Sequence, residues 1–421
     1  YYPVLAILFL DLGLTMEQYA GLNAVWAVAI VLCEVPSGAI ADRFGRRRLV
    51  VFASILMIAE MLALLLAPAS PGALLIGCVV LNRILSGVAE ASASGADEAL
   101  AYDTLQAAGR ANEWPEVLTK VMRWQSVGFV ISSILGAAAY DPNLLNSAAH
   151  LLGIDARLTQ THTTKLPVAL TLLSAIAALL TTLGMREAPR HETPPHSQGT
   201  WRLMGRAGRW ILNHRFFLLL ILSAVCFDSF IRLFLTIESS YLRLIAIPEA
   251  TYGLIGTGFA LLGFAVPALA SYLIRTQPPG RNLALIALLT VVGLIGVAIT
   301  WKGYGLLFIL PLGIAFFLTN FLLSHHLNRG VDSAMRATVL SFKGLAMNVA
   351  YGTAGLVFSA LVALSTSRHP GAGADAALRD ALGWLAPLFV LAVLPLALRW
   401  PRLREPSALS EPSESNPAPR A

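Results

Sequence analysis

The sequence predicts an all-α polytopic membrane protein: twelve transmembrane helices arranged as two six-helix bundles. Three observations carry that prediction. Hydrophobic residues fill 56% of the 421 positions and charged residues only 13%, against about 25% charged in a soluble domain. The mean hydropathy is +0.68, and so few polar residues cannot coat a single soluble core. Apolar runs near the length of a bilayer crossing recur along the whole chain. Backbone polar groups in lipid must be satisfied within the segment, so the runs are read as helices. Bulk disorder is excluded by the apolar content. Cys33, Cys78 and Cys226 lie far apart inside apolar runs and form neither a disulfide framework nor a metal-ligand pattern.

In chain order, the runs fall at about 1–13, 18–40, 49–68, 73–104, 121–140, 165–185, 214–238, 250–274, 282–301, 304–326, 338–365 and 380–399. Several are long enough to tilt or to pass beyond the bilayer. The first is short and Tyr1 is not a start methionine, so this helix is read as truncated at its N-terminus. No signal-peptide pattern is visible. The polar segment 186–213 is rich in Pro, His and Arg and parts six spans from six. The expected organisation is an N-terminal bundle at 1–185, a cytoplasmic linker at 186–213, a C-terminal bundle at 214–400 and a tail at 401–421. That tail is rich in Pro, Ser and Glu and is read as disordered.

Orientation follows from the loop cations. With the 41–48 loop in the cytoplasm, 21 Lys and Arg fall on the inner side and 6 on the outer. Both termini are then cytoplasmic, in a multi-pass protein of the inner (plasma) membrane. The same asymmetry accounts for the net charge of +6, so no nucleic-acid partner is inferred. Trp124, Trp210, Trp301 and Trp400 sit at span ends, as an interfacial aromatic belt would place them.

The first inner loop reads Gly38-Ala39-Ile40-Ala41-Asp42-Arg43-Phe44-Gly45-Arg46-Arg47-Arg48. Gly38 allows close helix approach, Gly45 a turn that a side chain would obstruct, and Asp42 with the arginines a charge-assisted network. A plain positive-inside loop needs the basic residues but not the Gly–Asp–Gly–Arg spacing. The loop resembles the signature of the major facilitator superfamily: glycine, three residues, aspartate, two residues, glycine-arginine. The resemblance implies two bundles rocking about a central site. It also implies a latch in which Asp42, Arg46 and Arg47 meet an acid at the end of the fourth span, where Asp97 and Asp103 are placed. Gly280-Arg281 align with Gly45-Arg46 at half a chain's offset, with Gln277 where Asp42 stands. This fits two halves related as parallel repeats.

Ionisable residues inside spans are functional candidates by default. Arg83, Glu90 and Asp97 recur every seven residues, which keeps them near one helix face. Small residues surround them, from Ser86 and Gly87 to Ala96, and mark close packing. Glu34 lies one turn before Gly38, next to Pro36. Glu34, Arg83 and Glu90 are the proton-coupling candidates. The competing reading gives Arg83 a packing role through an ion pair with Glu34 or Glu90. Arg83 with Gly87 also resembles a superfamily motif whose arginine is implicated in proton transfer in drug–proton antiporters. The Gly-Pro those antiporters carry in the fifth span is absent here, and Ser132-Ser133 stand in its place. In the second half, Asp228 and Arg232 share a face at i, i+4. With Lys343, Asn320 and Asn348 they are the substrate-cavity candidates; the competing reading is a mutually neutralised pair. Glu60, which lacks small neighbours, is read as an interhelical hydrogen-bonding group ahead of a functional one, and His325 and His326 as interfacial.

No Walker loop, HExxH or GxSxG occurs, so no enzyme, ATP coupling, metal or cofactor is expected. The resemblance implies a monomeric secondary active transporter whose partners are a small-molecule substrate, protons and the bilayer. Its nearest members imply proton-coupled export of hydrophobic or amphipathic compounds. Uptake of a small metabolite, or a non-transporting receptor on the same fold, are the alternatives.

Overall fold

The computed structural model describes residues 2–93, 96–110, 113–155, 157–186, 200–331, 333–368, 371 and 373–403. A 3-10 turn at Tyr2–Val4 leads into α1 (Leu5–Asp11). There follow α2 (Met16–Phe44), α3 (Arg46–Leu66), α4 (Ala73–Ala93), α5 (Ala96–Ala107), α6 (Trp114–Tyr140), α7 (Pro142–Leu151), α8 (Gln160–Thr163), α9 (Leu166–Gly184) and α10 (Thr200–Asn213). The second half comprises α11 (Arg215–Leu244), α12 (Tyr252–Thr276), α13 (Pro279–Ala298), α14 (Ile309–Gly330), α15 (Ser333–Arg368) and α16 (Gly373–Ala397). No strand occurs among the described residues.

A helix stands at each of the twelve predicted spans. Ten candidate spans, among the described residues, are long and apolar enough to cross a membrane, and Tyr2–Asp11 is a shorter apolar helix. The fifth predicted span, in α6, is not among the ten; Gln125, Ser126, Ser132 and Ser133 dilute its apolar character. Residues 73–104 carry α4 and α5, and residues 94 and 95 between them are outside the described residues. The structure departs from the reading or extends it at two places. The segment read as a linker contains α10, where a Cβ added at Gly208 would stand 3.6 Å from the Phe342 ring on α15. Trp400 is not an interfacial tryptophan. It is buried, donates from Nε1 to Ser223 Oγ (3.0 Å), and packs beside Phe227.

The α2–α3 turn is one residue long. Gly45 occupies it at φ 107°, a conformation that L side chains rarely adopt. Gly87 brings α4 onto α2: a Cβ there would stand 2.7 Å from Ala29 Cβ and 2.8 Å from Trp26 O. Ser37 Oγ on α2 donates to Ala91 O on α4 (2.7 Å), pinning the same pair of helices. At the far end of α6, Asp141 caps α7 by accepting from Asn143 N and Leu144 N.

The halves meet through three helix pairs, α2 with α15, α6 with α12 and α1 with α11. Ser239 Oγ on α11 accepts from Ala6 N and Ile7 N on α1, at 3.0 and 3.3 Å. Tyr19 donates to Thr236 O (2.8 Å) and Ser359 Oγ to Glu17 O (2.7 Å). Gly253 of α12 lies directly on the Ser133 backbone of α6. These contacts lie toward the end of the bundles that carries Asp11, Tyr140 and Arg243. The signature loop is at the opposite end.

Candidate functional site

The central polar node joins both halves. On α11, Asp228 and Arg232 form the i, i+4 ion pair, 2.6 Å apart. Arg232 does more than neutralise Asp228. Its Nη1 donates to Asn348 Oδ1 and its Nη2 to Met347 O, each at 3.0 Å. Its guanidinium lies 4.5 Å from the Tyr351 ring centroid, a cation–π distance. The Tyr351 hydroxyl pairs with Thr236 Oγ1 (2.7 Å), which in turn donates to Arg232 O (2.8 Å). Trp26 of α2 meets Tyr351 edge-on, with centroids 5.9 Å apart. Asp228, Arg232 and Asn348 are thus one network, held by a tyrosine and a threonine that sequence reasoning missed. Lys343 lies within electrostatic range of Asp228. Asn320 does not join the network; its Nδ2 donates to Phe316 O on its own helix (3.0 Å).

Arg83 approaches the node from α4. It is 7% exposed, and its guanidinium lies 4.9 Å from the Phe9 ring centroid on α1. It makes no ion pair to Glu34 or Glu90 among the described residues. Its Nε and Nη2 are buried without a hydrogen-bond partner. Arg83 and Arg232 both lie within electrostatic range of Tyr351, and Glu90, exposed on α4, within range of Arg232. Glu34 is half-buried on α2, with Oε2 enclosed and unpartnered. Glu238, less than two turns beyond Arg232 on α11, lies in electrostatic range of Tyr2 together with Arg83, Arg232 and Glu90. Sequence reasoning did not single it out. Asp97 is exposed and lies on α5, on the far side of residues 94 and 95, which are outside the described residues.

At the signature-loop end, Arg47 Nη2 donates to Leu183 O (2.7 Å), near the C-terminus of α9, where free carbonyls attract cations. Arg46 is half-buried beside it. Gly38 lies in α2, and its environment and the side chains of Asp42 and Asp103 are outside the described residues. In the loop before α6, Arg110 Nε donates to Glu113 Oε1 (2.7 Å), and this bond holds the Glu113 carboxyl below the usual range.

A second charged cluster closes the opposite end. Arg243 Nη1 and Nη2 donate to Asp11 Oδ1 and Oδ2, at 2.7 and 2.8 Å, and its Nε donates to Glu249 Oε1 (2.8 Å). The Tyr140 hydroxyl donates to Asp11 Oδ2, and Asp141 Oδ2 accepts from Ala250 N (3.2 Å). Sequence reasoning assigned none of these residues a role. A recess of about 800 Å³ adjoins the cluster, walled by Glu17, Ser240, Arg243 and Asp375 among others. An apolar groove of about 700 Å³ lies between α11, α15 and α16. Its α11 wall includes Leu222, Cys226, Ser229 and Leu233 but neither Asp228 nor Arg232, so it is separate from the polar node.

Among solved structures, the chain is similar to the nucleoside transporter NupG (13% identity, TM-score 0.69, covering 96% of this chain and 94% of that one). It is also similar to a bacterial homologue of the human lysosomal transporter Spinster in an inward-facing, unoccupied conformation (14%, 0.70, 96% and 94%). The D-xylose-proton symporter gives 13% identity and a TM-score of 0.66, with 97% and 94% covered. At such identities the likeness is one of fold. No curated protein matches the chain in sequence. The Major Facilitator Superfamily model matches residues 1–355; with its two helical halves, signature turn and polar node between them, the chain belongs to the Major Facilitator Superfamily, a family of membrane transporters.

Proposed function

We propose that this transporter couples proton movement to the export of hydrophobic or amphipathic compounds. The observation that carries the reading is a set of incompletely paired ionisable groups beside aromatic walls. Arg83 and Glu34 in the first half keep enclosed donors and acceptors without partners. Phe9, Trp26 and Tyr351 surround the node. An ionisable group inside a span is costly unless it serves a partner or a pathway. Compounds with apolar bodies suit the aromatic surfaces, and Glu34, Glu90 and Glu238 are the carboxyls available to exchange a proton.

With the signature loop in the cytoplasm, the contacts at the Arg243 end make this conformation closed toward the outside. Alternating access then exchanges that closure for one at the loop end, where Asp42, Arg46, Arg47, Asp97 and Asp103 form the latch. The test uses everted vesicles energised inward-acidic, with the gradient reported by dye quenching and a panel of cationic, neutral and anionic amphiphiles added. A compound that dissipates the gradient in wild type, and fails to do so with Glu34→Gln, supports the reading. An unresponsive gradient across the panel, with inserted protein, refutes it in favour of uptake or binding without flux.

A further inference from the structure

We infer that one edge of Arg83 is a fork for an oxyanion, carboxylate or phosphate, on the transported compound, and that α1 gates it. The inference rests on the reading of the polar node as the substrate site. Nε and Nη2 are the two donors along one edge of a guanidinium, and their parallel N–H groups match the two oxygens of a carboxylate or phosphate. In Arg83 both are enclosed and neither meets an acceptor. Arg232 contrasts with it: only its Nε is left without a partner, and its two terminal nitrogens already serve Asp228, Asn348 and Met347 O. The Phe9 ring supports the Arg83 cation but supplies no acceptor for those two N–H groups. A buried charged donor left unmet is destabilising, and an anion that reaches it relieves that cost.

The route to that edge runs through α1. Phe9 lies against Arg83, and Asp11, two residues later on the same short helix, is gripped by Arg243. Moving α1 to admit an anion therefore draws Asp11 away from Arg243. Anion binding and opening of the Arg243 end become one equilibrium. By linkage, a ligand that favours the shifted form binds more tightly when that form is already populated.

The test measures binding to the purified protein in nanodiscs, by calorimetry and thermal shift. The probes are octanoate, octyl phosphate, octanol and octylamine, which share one tail. The expected result is binding by octanoate or octyl phosphate, and the two arms distinguish carboxylate from phosphate. Arg83→Gln should weaken that binding roughly ten- to a hundredfold, the scale of a lost charged hydrogen-bond pair. Arg83→Lys keeps the charge but not the fork, and should weaken it as well while preserving the fold. Asp11→Asn should do the reverse and tighten binding severalfold. The exposed-loop variant Arg110→Gln should change neither.

Equal binding of octanol, full retention in Arg83→Gln, or no effect of Asp11→Asn overturns the inference. Octylamine binding alone also overturns it. If the dye assay then shows octylamine dissipating the proton gradient, proton-coupled export stands without the oxyanion fork. Anion binding that obeys the variants, with no proton-coupled flux, leaves the fork and removes the export reading.

Discussion

Arg243 spans the two halves of the protein and grips Asp11 with both terminal nitrogens, at 2.7 and 2.8 Å. The two residues lie 232 positions apart. The pair closes one end of the molecule, and Glu249 and Tyr140 hold it in position. A planar guanidinium clasping a carboxylate on both oxygens defines orientation as well as attraction. Such a contact suits a closure that forms in one transport state and is absent from the other.

Asp11→Asn should therefore loosen that closure without unfolding either bundle. The Arg243 side chain is 36% exposed, so solvent reduces the pair's worth to about 1 kcal/mol. That corresponds to a roughly fivefold shift in the open population. Ser240, buried on α11 and lining the adjoining recess, reports it. In a background without the three native cysteines, Ser240→Cys should react several times faster with a membrane-impermeant maleimide once Asp11→Asn is added. Unchanged labelling would show that the neighbouring helix contacts alone set the closure.

Arg47 supports a separate prediction at the other end. Its bond to Leu183 O ties the signature turn to the end of α9. Arg47→Ala removes that bond and leaves a helix-terminal carbonyl without its cation. The expected loss is about 1 kcal/mol of stability, read as a fall of a few degrees in melting temperature in detergent. Arg48→Ala, exposed one residue away, should leave the melting temperature unchanged. Equal effects from the two would assign the loss to net charge rather than to the bond.

Much of the fold was legible because its causes are local. A span declares itself by apolar length, and the signature turn by the glycine that its φ requires. Gly87 was read as a close-packing residue among small neighbours, and it lies against Ala29 and Trp26. The i, i+4 pairing of Asp228 and Arg232 was legible for the same reason. What escaped depends on residues distant in sequence. Nothing at Asp11 announces Arg243, and nothing at Tyr351 announces Thr236 or Arg232. Trp400 was misplaced because a tryptophan at a span end reads the same whether its indole faces lipid or, as here, donates to Ser223.

The pH dependence of transport should come from inside the membrane rather than from the loops. The Arg110–Glu113 bond lowers the Glu113 carboxyl below its ordinary value of 4.5. For a carboxylate lowered in the folded state, the stabilising effect is complete above the unfolded value. It is lost only as pH falls through the lower folded value. This pair is therefore constant from pH 5.5 to 8, to the extent that an exposed pair matters at all. A transport rate that changes across that window should keep its profile in Glu113→Gln and lose its pH dependence in Glu34→Gln or Glu238→Gln. A profile altered by Glu113→Gln alone would move the proton-sensitive step to the loop.

Gly253 separates closure from chemistry. A Cβ at this position would run into the backbone of Ser133 and Ile134 on α6. Backbone cannot rotate aside as a flexible side chain does, so Gly253→Val forces α12 away from α6. The site of the clash is a contact between halves, away from the α11–α15 packing that holds the polar node. The variant should insert and, by the linkage that also acts in Asp11→Asn, bind substrate at least as tightly as wild type. Its transport should fall at least tenfold, because the state closed at the Arg243 end can no longer form. Gly258→Val, on the same helix with no atom within 4 Å of the added carbon, should transport normally. The measurement is flux per inserted molecule, paired with cross-linking across the α6–α12 contact. Normal flux in Gly253→Val would mean that closure here is not required in the cycle, and that the Asp11–Arg243 grip is a resting contact rather than a gate.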